Sequence, residues 1–408
     1  MKRSVICLII IVSLLLPCIS FAETTEMRAV WFSYQDYKSN LFALSENDFR
    51  AGADEICKNI SEAGMNTIIF HVRAFSDAFY DSAYFQYSKY VQGEAGVSPG
   101  YDPLKLMCEA TRKYGLSIHA WINPYRIGAP TNVTESSVAH SWKSLYGNDR
   151  ICEYNGSWYY NPASPYVREY IINGVREIVK NYDVDGIHFD DYFYPTADES
   201  FDKTSYEASG TALSLNEWRL ENVNTLIKDT YSAIKEINPN VVFGISPNAD
   251  IEKNYESLFA DVKKWGSQSG YADYITPQIY FGFENSTLPF EQTTDRWCEL
   301  CTEPDLYIGI AAYKSGLEDK WAGNGKNEWI ERSDICSRQI AYIRSKENCK
   351  GFMLFSYSSL FSESANPSAK AELEKITSLL KESQTTPKPV ISFMDMIKTI
   401  LKYIFIFN

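Results

Sequence analysis

The sequence has little positive charge and few histidines, and these shortages exclude several classes of function. Its 408 residues include 39 lysines and arginines against 52 aspartates and glutamates, with four histidines and a net charge of −13. An acidic chain without a basic cluster repels phosphate backbones, so nucleic acid is not expected as a partner. No G-x-G-x-x-G follows the first strand pattern and no helical H-x-x-x-H is present. We therefore expect neither a dinucleotide cofactor nor a catalytic metal.

The cysteines are scattered and do not form a framework. Two of the nine lie in the first 22 residues, and the remaining seven cannot all pair because their number is odd. Cys298 and Cys301 form a C-x-x-C motif, but no second pair or neighbouring histidine accompanies it. We expect structural roles for these cysteines. One or two disulfides stay open, with Cys336 and Cys349 as a candidate pair.

The N-terminus has the pattern of a secretory signal peptide over residues 1–22. Lys2 and Arg3 precede an apolar run from Val5 to Leu16, and Ser20-Phe21-Ala22 supplies small residues at the cleavage positions. The run is shorter than the roughly 20 residues of a membrane-spanning helix. The pattern predicts export from the cell, and removing this segment would bring the net charge to −15.

The C-terminal residues 383–408 differ in composition from the rest. A polar linker with prolines comes first, and an apolar segment with two lysines follows it over residues 390–407. An amphipathic helix in contact with a membrane surface fits this segment. A helix folded back onto the main domain fits it equally well.

Between these ends, residues 23–382 repeat one pattern eight times, a short apolar run followed by a longer segment with helical spacing. Strict alternation predicts an α/β fold with parallel strands, a (β/α)8 TIM barrel, with an open doubly wound sheet as the alternative. Strands 2, 3 and 4 are followed by long loops, about 74–102, 124–164 and 192–214. The strands are predicted at residues 28–34, 67–73, 117–123, 186–191, 241–246, 274–280, 307–312 and 351–356.

Polar residues concentrate at the predicted carboxyl ends of the strands, where such barrels hold their active sites. Asp190 and Asp191 are the strongest signal, because two adjacent acids are costly to bury without a purpose. Glycoside hydrolysis commonly uses two carboxyl groups, one protonated and one ionised. Neighbouring strand residues face opposite sides, so both acids serve one site only if the chain turns after Asp190.

Further side chains at or just beyond the strand ends are predicted to bind substrate. Within a strand they share one parity and would point together into the barrel mouth. The predicted binding residues are Arg73, Asp77, His119, Trp121, Asn123, His188, Tyr192, Asn248, Gln278 and Tyr280.

Taken together, these segments resemble the glycosyl hydrolase-like family 10, or DUF187 family, over residues 26–380. The resemblance implies a (β/α)8 barrel that is secreted by, or held at the surface or envelope of, a bacterium. The matching segments are M-R-A-V-W-F-S (27–33), G-M-N-T-I-I-F-H-V-R (64–73), S-D-A-F-Y-D-S (76–82), G-Y-D-P-L (100–104), H-A-W-I-N-P-Y-R (119–126), D-G-I-H-F-D-D-Y-F-Y-P (185–195), F-G-I-S-P-N (243–248) and I-T-P-Q-I-Y-F (275–281).

One branch of that family cleaves peptidoglycan glycan strands that have lost their stem peptides, so the resemblance implies an N-acetylated glycan as substrate. The acidic segment also resembles that of chitinase-like barrels, with Tyr192 where those place the acid. Asp191 is then the expected acid, with Asp190 orienting an acetamido group or facing positive charge. Otherwise Asp36, Asp77 or Glu284 would supply a second carboxylate. A non-catalytic carbohydrate-binding protein and a metal-dependent polysaccharide deacetylase are the alternatives.

Overall fold

Eight parallel strands follow one another around a closed barrel in the computed structural model, which describes residues 26–385. Neighbouring strands pair in chain order, and the first strand also pairs with the last. The predicted TIM barrel is therefore confirmed and the open sheet is excluded. The strands are β1 (Met27–Phe32), β2 (Thr67–Arg73), β3 (Ser117–Ile122), β4 (Gly186–Phe189), β5 (Val242–Ile245), β6 (Tyr274–Ile275), β7 (Asp305–Ile310) and β8 (Cys349–Leu354).

Each strand is followed by a helix that buries one apolar face against the barrel. In the first helix, Phe49, Ala53, Ile56 and Ile60 are buried at the spacing of one helical face, and Ser45 accepts a hydrogen bond from the Asp48 amide at its start. None of the helices in residues 26–385 is long and apolar enough to cross a membrane. The helices are α1 (Glu46–Glu62), α2 (Pro103–Lys113), α3 (Pro165–Asn181), α4 (Leu215–Ile237), α5 (Val262–Ser267), α6 (Phe290–Leu300), α7 (Ile335–Arg344) and α8 (Pro367–Thr385).

Several strands are shorter than predicted, and the shortening of β4 and β6 shapes the barrel mouth. β6 stops after Ile275, because Pro277 has no N–H to donate to the ladder. Beyond it, Gln278 still makes isolated bridges to Asn248 and Gly309. β4 stops at Phe189, and the chain bends at Asp191. The predicted turn after Asp190 is therefore present.

The long loops predicted after β2, β3 and β4 all lie at the carboxyl ends of the strands. The β3 loop carries a small antiparallel sheet made of Arg126–Gly128, Ile151–Tyr154 and Ser157–Tyr160. A fourth long loop, residues 311–334, follows β7 and was not predicted as long. Lys314 fastens it to the barrel by donating hydrogen bonds to the Tyr280 carbonyl (2.7 Å) and the Asp319 carboxylate (2.6 Å).

Aromatic and imidazole rings fill the barrel interior, where aliphatic side chains are usual. Tyr274 lies in this interior together with Trp31 and Trp121. Gly244 makes room for it, because a Cβ there would stand 1.8 Å from the tyrosine ring. Glycine at this strand position thus allows Tyr274 to reach across the barrel.

The cysteine contacts differ from the pair considered from the sequence. All seven cysteines of the described residues carry free thiols. Cys349 lies on β8 with its Sγ 3.4 Å from the Sγ of Cys298 on α6. The Cys336 Sγ lies 4.0 Å from the Ser315 hydroxyl, so the candidate Cys336–Cys349 pair is wrong. The C-x-x-C motif belongs to the end of α6, and Cys301 is buried there.

Candidate active site

A cavity of about 340 Å3 opens at the carboxyl ends of the strands and contains the predicted acids. A larger groove of about 470 Å3 between the β2 and β3 loops has no carboxylate or histidine in its wall. Of these two, the cavity at the barrel mouth has the carboxyl groups that acid–base chemistry needs. Its wall is formed by Trp31, Ser33, Tyr34, Gln35, His71, Trp121, Asn123, Arg126, Asp190, Asp191, Tyr192, Ser246, Gln278, Tyr280, Tyr313 and Phe355.

Asp190 and Asp191 share this cavity because of the bend that follows β4. Asp190 is 2% exposed, and its two oxygens accept hydrogen bonds from the Trp121 indole (3.0 Å) and the Tyr192 amide (3.3 Å). Asp191 is half-buried. One carboxyl is therefore held rigidly at the cavity floor while its neighbour is more accessible.

Burial raises the pKa of both carboxyls. The pKa of Asp190 lies well above its usual range because it is buried and faces the charge of Asp191. Burial also raises the pKa of Asp191, while a hydrogen bond from the Gln278 side chain works in the opposite direction. Two such neighbours lose their protons in separate steps, because the charge left by the first disfavours loss of the second.

A hydrogen-bonded chain of neutral histidines lies beneath the cavity. Trp31 donates its indole N–H to Nε2 of His188 (3.3 Å), so Nδ1 of His188 carries the proton and donates to the Tyr274 hydroxyl (2.9 Å). Tyr274 then donates to Nδ1 of His119 (2.9 Å). Burial keeps both rings uncharged, lowering the pKa of His119 to about 4 and that of His188 well below its usual range.

His71 and Asn123 present buried polar atoms to the cavity. The His71 ring stacks on Trp121 with centroids 3.8 Å apart. Neither ring nitrogen of His71 has a hydrogen-bond partner in the described part of the chain, and the same holds for Oδ1 of Asn123. Burial lowers the pKa of His71 well below its usual range, so the ring is neutral at pH 7. A neutral imidazole and an amide oxygen suit the hydroxyl and amide groups of a sugar.

Arg126 brings a positive charge to the same wall. Its guanidinium lies between two aromatic rings, 4.4 Å from the centroid of Phe75 and 4.6 Å from that of Tyr192. Arg126 is the first residue of the small antiparallel sheet, and its backbone pairing with Tyr159 fixes its position.

Comparison with known proteins agrees with this architecture. The family model described as glycosyl hydrolase-like 10 matches residues 26–323. The chain belongs to the glycosyl hydrolase-like 10 family. It is 36% identical over 367 residues to the glycosyl hydrolase YngK of Bacillus subtilis, covering 82% of this chain and 69% of that protein. It is 34% identical over 350 residues to the glycosyl hydrolase DigH of Escherichia coli, covering 76% and 79%.

Solved structures share the fold with little sequence identity. The glycoside hydrolase domain of PgaB (BpsB) from Bordetella bronchiseptica is 11% identical with a TM-score of 0.57, covering 86% of this chain and 99% of that one. An endo-1,4-β-D-mannanase from Thermotoga petrophila is 11% identical with a TM-score of 0.54, covering 88% and 99%. Family membership identifies this protein as a glycoside hydrolase, and these two likenesses concern the fold.

In this member of the family, half of the predicted binding residues line the cavity. Trp121, Asn123, Gln278 and Tyr280 do so, as their strand parity predicted, and Tyr192 does so from beyond the end of β4. Gln278 also donates to the Ser246 carbonyl (2.8 Å), which fixes its side chain beside Asp191.

The other half support the site from behind the wall, which corrects the sequence-based expectation of substrate contact. Arg73 is 1% exposed and donates to the Pro124 carbonyl (3.1 Å), while Asp77 accepts the Ala74 and Phe75 amides. Asn248 accepts the Asp250 amide at a loop start. His119 and His188 are buried in the barrel interior. Sequence parity gives the direction of a side chain but not its depth in the barrel.

None of the three proposed second carboxylates lies in the cavity wall. Asp36 is buried and caps a short helix, accepting from the Ser33 and Ser358 amides. Asp77 is a loop cap, and Glu284 is exposed on the β6 loop. Within residues 26–385, the carboxyls of this cavity are Asp190 and Asp191. Nowhere in residues 26–385 do three or more histidine, cysteine, aspartate or glutamate side chains lie together in a group that could hold a metal ion.

Several wall residues were not among the predicted site residues. Two of them are His71, inside the G-M-N-T-I-I-F-H-V-R segment, and Arg126, inside the H-A-W-I-N-P-Y-R segment. A sequence signal exists for both, since each lies at or just after the carboxyl end of a strand. The others are Trp31, Ser33, Tyr34, Gln35, Ser246, Tyr313 and Phe355.

Proposed function

We propose that this glycosidase cleaves N-acetylated glycan strands of the bacterial cell wall, with peptidoglycan strands free of stem peptides as the primary substrate. The observation that carries the proposal is the Asp190–Asp191 pair with raised pKa values in an aromatic-lined cavity. Sugar rings pack their C–H faces on such aromatics, and neutral polar groups such as His71 and Asn123 suit acetamido and hydroxyl groups.

The proposed mechanism uses the two carboxyls as one unit that retains a single proton. Asp191, the more accessible of the pair, passes the proton to the oxygen of the departing sugar. The pair then carries two negative charges, which stabilise the positive charge that develops at the anomeric carbon. Asp190, held by Trp121 and Tyr192, faces that charge and orients the acetamido group, whose oxygen bonds to the anomeric carbon as the glycosidic bond breaks. Water then attacks the anomeric carbon and gives a proton to Asp191, so the bond to the acetamido oxygen breaks and the acid is restored. Raised pKa values favour this arrangement, because they keep the proton on the pair at a higher pH than on an ordinary carboxyl.

Digestion of defined strands tests this proposal. The purified protein, an Asp191→Asn variant and an Asp198→Asn control are incubated with glycan strands that carry or lack stem peptides, and products are read by mass spectrometry. Asp198 lies on the same loop but is exposed and outside the cavity. We expect the wild type and the control to shorten bare strands, and Asp191→Asn to be slower by about 10²- to 10⁴-fold.

The same experiment separates acid catalysis from the alternatives. A dinitrophenyl glycoside needs no protonation of its leaving group, so Asp191→Asn should cleave it at nearly the wild-type rate if Asp191 is the acid. Release of acetate from the strands, abolished by a chelator, would instead support a metal-dependent deacetylase. Binding of strands without turnover by any of the proteins would support a carbohydrate-binding role and contradict catalysis on this glycan.

A further inference from the structure

The guanidinium of Arg126 has neither an ion-pair partner nor a hydrogen-bond partner within residues 26–385. No carboxylate oxygen of those residues lies within 4.0 Å of its nitrogens. The side chain is half-buried between Phe75 and Tyr192. Stacking on two rings fixes the plane of the guanidinium and leaves its N–H groups available at their edges.

Two buried arginines find acceptors inside the protein, whereas Arg150 and Arg338 stack on aromatic rings outside this cavity with no acceptor in residues 26–385. Arg219 is fully buried and bonds the Asp202 carboxylate and two backbone carbonyls. Arg73 is buried and bonds the carbonyls of the β3 loop. Arg126 differs because its wall faces the substrate cavity. An acceptor supplied by the substrate would satisfy it.

Planar guanidinium groups bind carboxylates through two parallel N–H···O hydrogen bonds, a geometry that neutral sugar hydroxyls do not reproduce. We propose that Arg126 binds a carboxylate carried by the sugar in the cavity. This proposal rests on the proposed function. In a bare peptidoglycan strand that carboxylate is the lactyl group of N-acetylmuramic acid, which is free only after the stem peptide has been removed.

The charge balance of the cavity supports this assignment. Any negative charge on Asp190 or Asp191 would repel an anionic sugar. The positive field of Arg126 already acts on both carboxyls, where it opposes the rise of their pKa values. Arg126 therefore lets an anionic substrate approach an acidic site. A lactyl group amide-linked to a peptide has no charge for it to bind.

Three preparations of one glycan test the inference. They are bare strands, bare strands whose carboxyls are converted to methylamides, and strands that keep their stem peptides. The methylamide keeps the size and linkage of the bare sugar but removes its charge. We expect the wild type to cleave bare strands with a kcat/KM about 10- to 100-fold higher than the methylamide strands, the range for a lost charge-assisted pair.

Matched variants assign the preference to Arg126. Arg126→Gln should lose the preference by slowing on bare strands alone, while Arg126→Lys should keep part of it, since it keeps the charge but not the planar geometry. Arg150→Gln is the control. Arg150 also lies against aromatic rings, 4.7 Å from the centroid of Trp142, but outside this cavity. Its variant should keep the full wild-type preference, and circular dichroism of every variant checks folding.

Each other outcome contradicts a specific part. Equal wild-type rates on bare and methylamide strands overturn the role of Arg126 and leave the proposed function intact. Equal slowing of Arg126→Gln on both strands overturns it as well, because Arg126 would then act on the aspartate pair. If the wild type cleaves a uronic-acid oligosaccharide faster than bare strands, and this cleavage depends on Arg126, the bound carboxylate belongs to a different sugar and the lactyl assignment is overturned. No cleavage of any strand by the wild type refutes the proposed function, and the lactyl assignment with it.

Discussion

Asp190 lies at the floor of the cavity, where burial and the neighbouring Asp191 raise its pKa well above the usual range. A carboxyl whose pKa is higher in the folded than in the unfolded chain favours folding at low pH. Its contribution is complete below the unfolded pKa of about 3.9 and is lost as the pH rises through the folded value. The site therefore lowers the stability of the protein at neutral and alkaline pH.

Replacement of Asp190 by asparagine should separate stability from activity. We expect Asp190→Asn to melt at a higher temperature than the wild type at pH 8, with the difference shrinking towards pH 4. Activity on bare strands should fall by about 10²-fold or more, because asparagine cannot carry the negative charge that Asp190 places opposite the anomeric carbon. Thermal melts at several pH values measure the first effect. Asparagine keeps only one of the two oxygens that accept the Trp121 and Tyr192 N–H groups, so the pH dependence is the readout of the charge. A difference in melting temperature that does not rise with pH would show that Asp190 is not strained by its charge.

Asp198→Asn is again the matched control for these melts. Hydrogen bonds from the Ser200 amide and side chain lower the pKa of Asp198, so the sign of its linkage is opposite. Its ionised form favours folding, and that contribution is lost as the pH falls through the folded pKa. The control should show no gain in melting temperature at pH 8.

Among the secondary-structure elements, the predicted and observed bounds differ mostly at the ends of strands. Strand interiors with continuous apolar runs matched the predicted ranges, as β2 did at Thr67–Arg73. Ends depend on local chain geometry, such as Pro277 after β6 and the bend at Asp191 after β4. The spacing of residues in the sequence shows on which side of a strand a side chain lies, but not how deep it lies along the barrel axis. That is why His119 and His188 were taken for binding residues although they lie in the interior.

The contact between α6 and β8 gives a prediction at this scale. The thiols of Cys298 and Cys349 lie 3.4 Å apart and both are half-buried. We expect oxidised glutathione to convert them into one disulfide: the two thiols give two electrons and two protons to oxidised glutathione, which leaves as two molecules of reduced glutathione. Because the two cysteines are 51 residues apart in the sequence, this disulfide should raise the free energy of unfolding by up to about 4 kcal/mol.

Peptide mapping by mass spectrometry identifies that bond, and melting with and without reductant measures its effect. Cys336→Ser serves as the control, since Cys336 lies beside Ser315 and away from the pair. Its variant should form the same disulfide. Recovery of Cys298 and Cys349 as separate alkylated thiols after oxidation would contradict the contact.

For the whole molecule, export stays a proposal that rests on the sequence. Residues 1–22 and most of the C-terminal segment lie outside the described residues, although α8 extends to Thr385 and thus into the first residues of the expected linker. We expect expression in a bacterium to yield an extracytoplasmic protein whose first residue is Glu23. Intact mass and N-terminal sequencing of cell fractions measure this. A full-length protein in the cytoplasmic fraction would contradict it.

The proposed membrane contact of residues 390–407 has its own readout in the same fractions. A chain truncated after Thr385 should leave the membrane fraction if that segment makes the contact. Retention of the truncated chain in the membrane fraction would assign the contact elsewhere.

The sequence by itself determined the barrel, the order of its elements and the acidic pair, because these depend on periodicity and on the cost of burying charge. The tertiary structure decided which polar residues reach the cavity. Asp36, Asp77 and Glu284 are all acids near strand ends, but two cap loops or helices and one faces solvent. Arg126 enters the wall through the packing of Phe75 and Tyr192, which come from two other loops. Such contacts join distant parts of the chain, and only closure of the barrel brings those parts together.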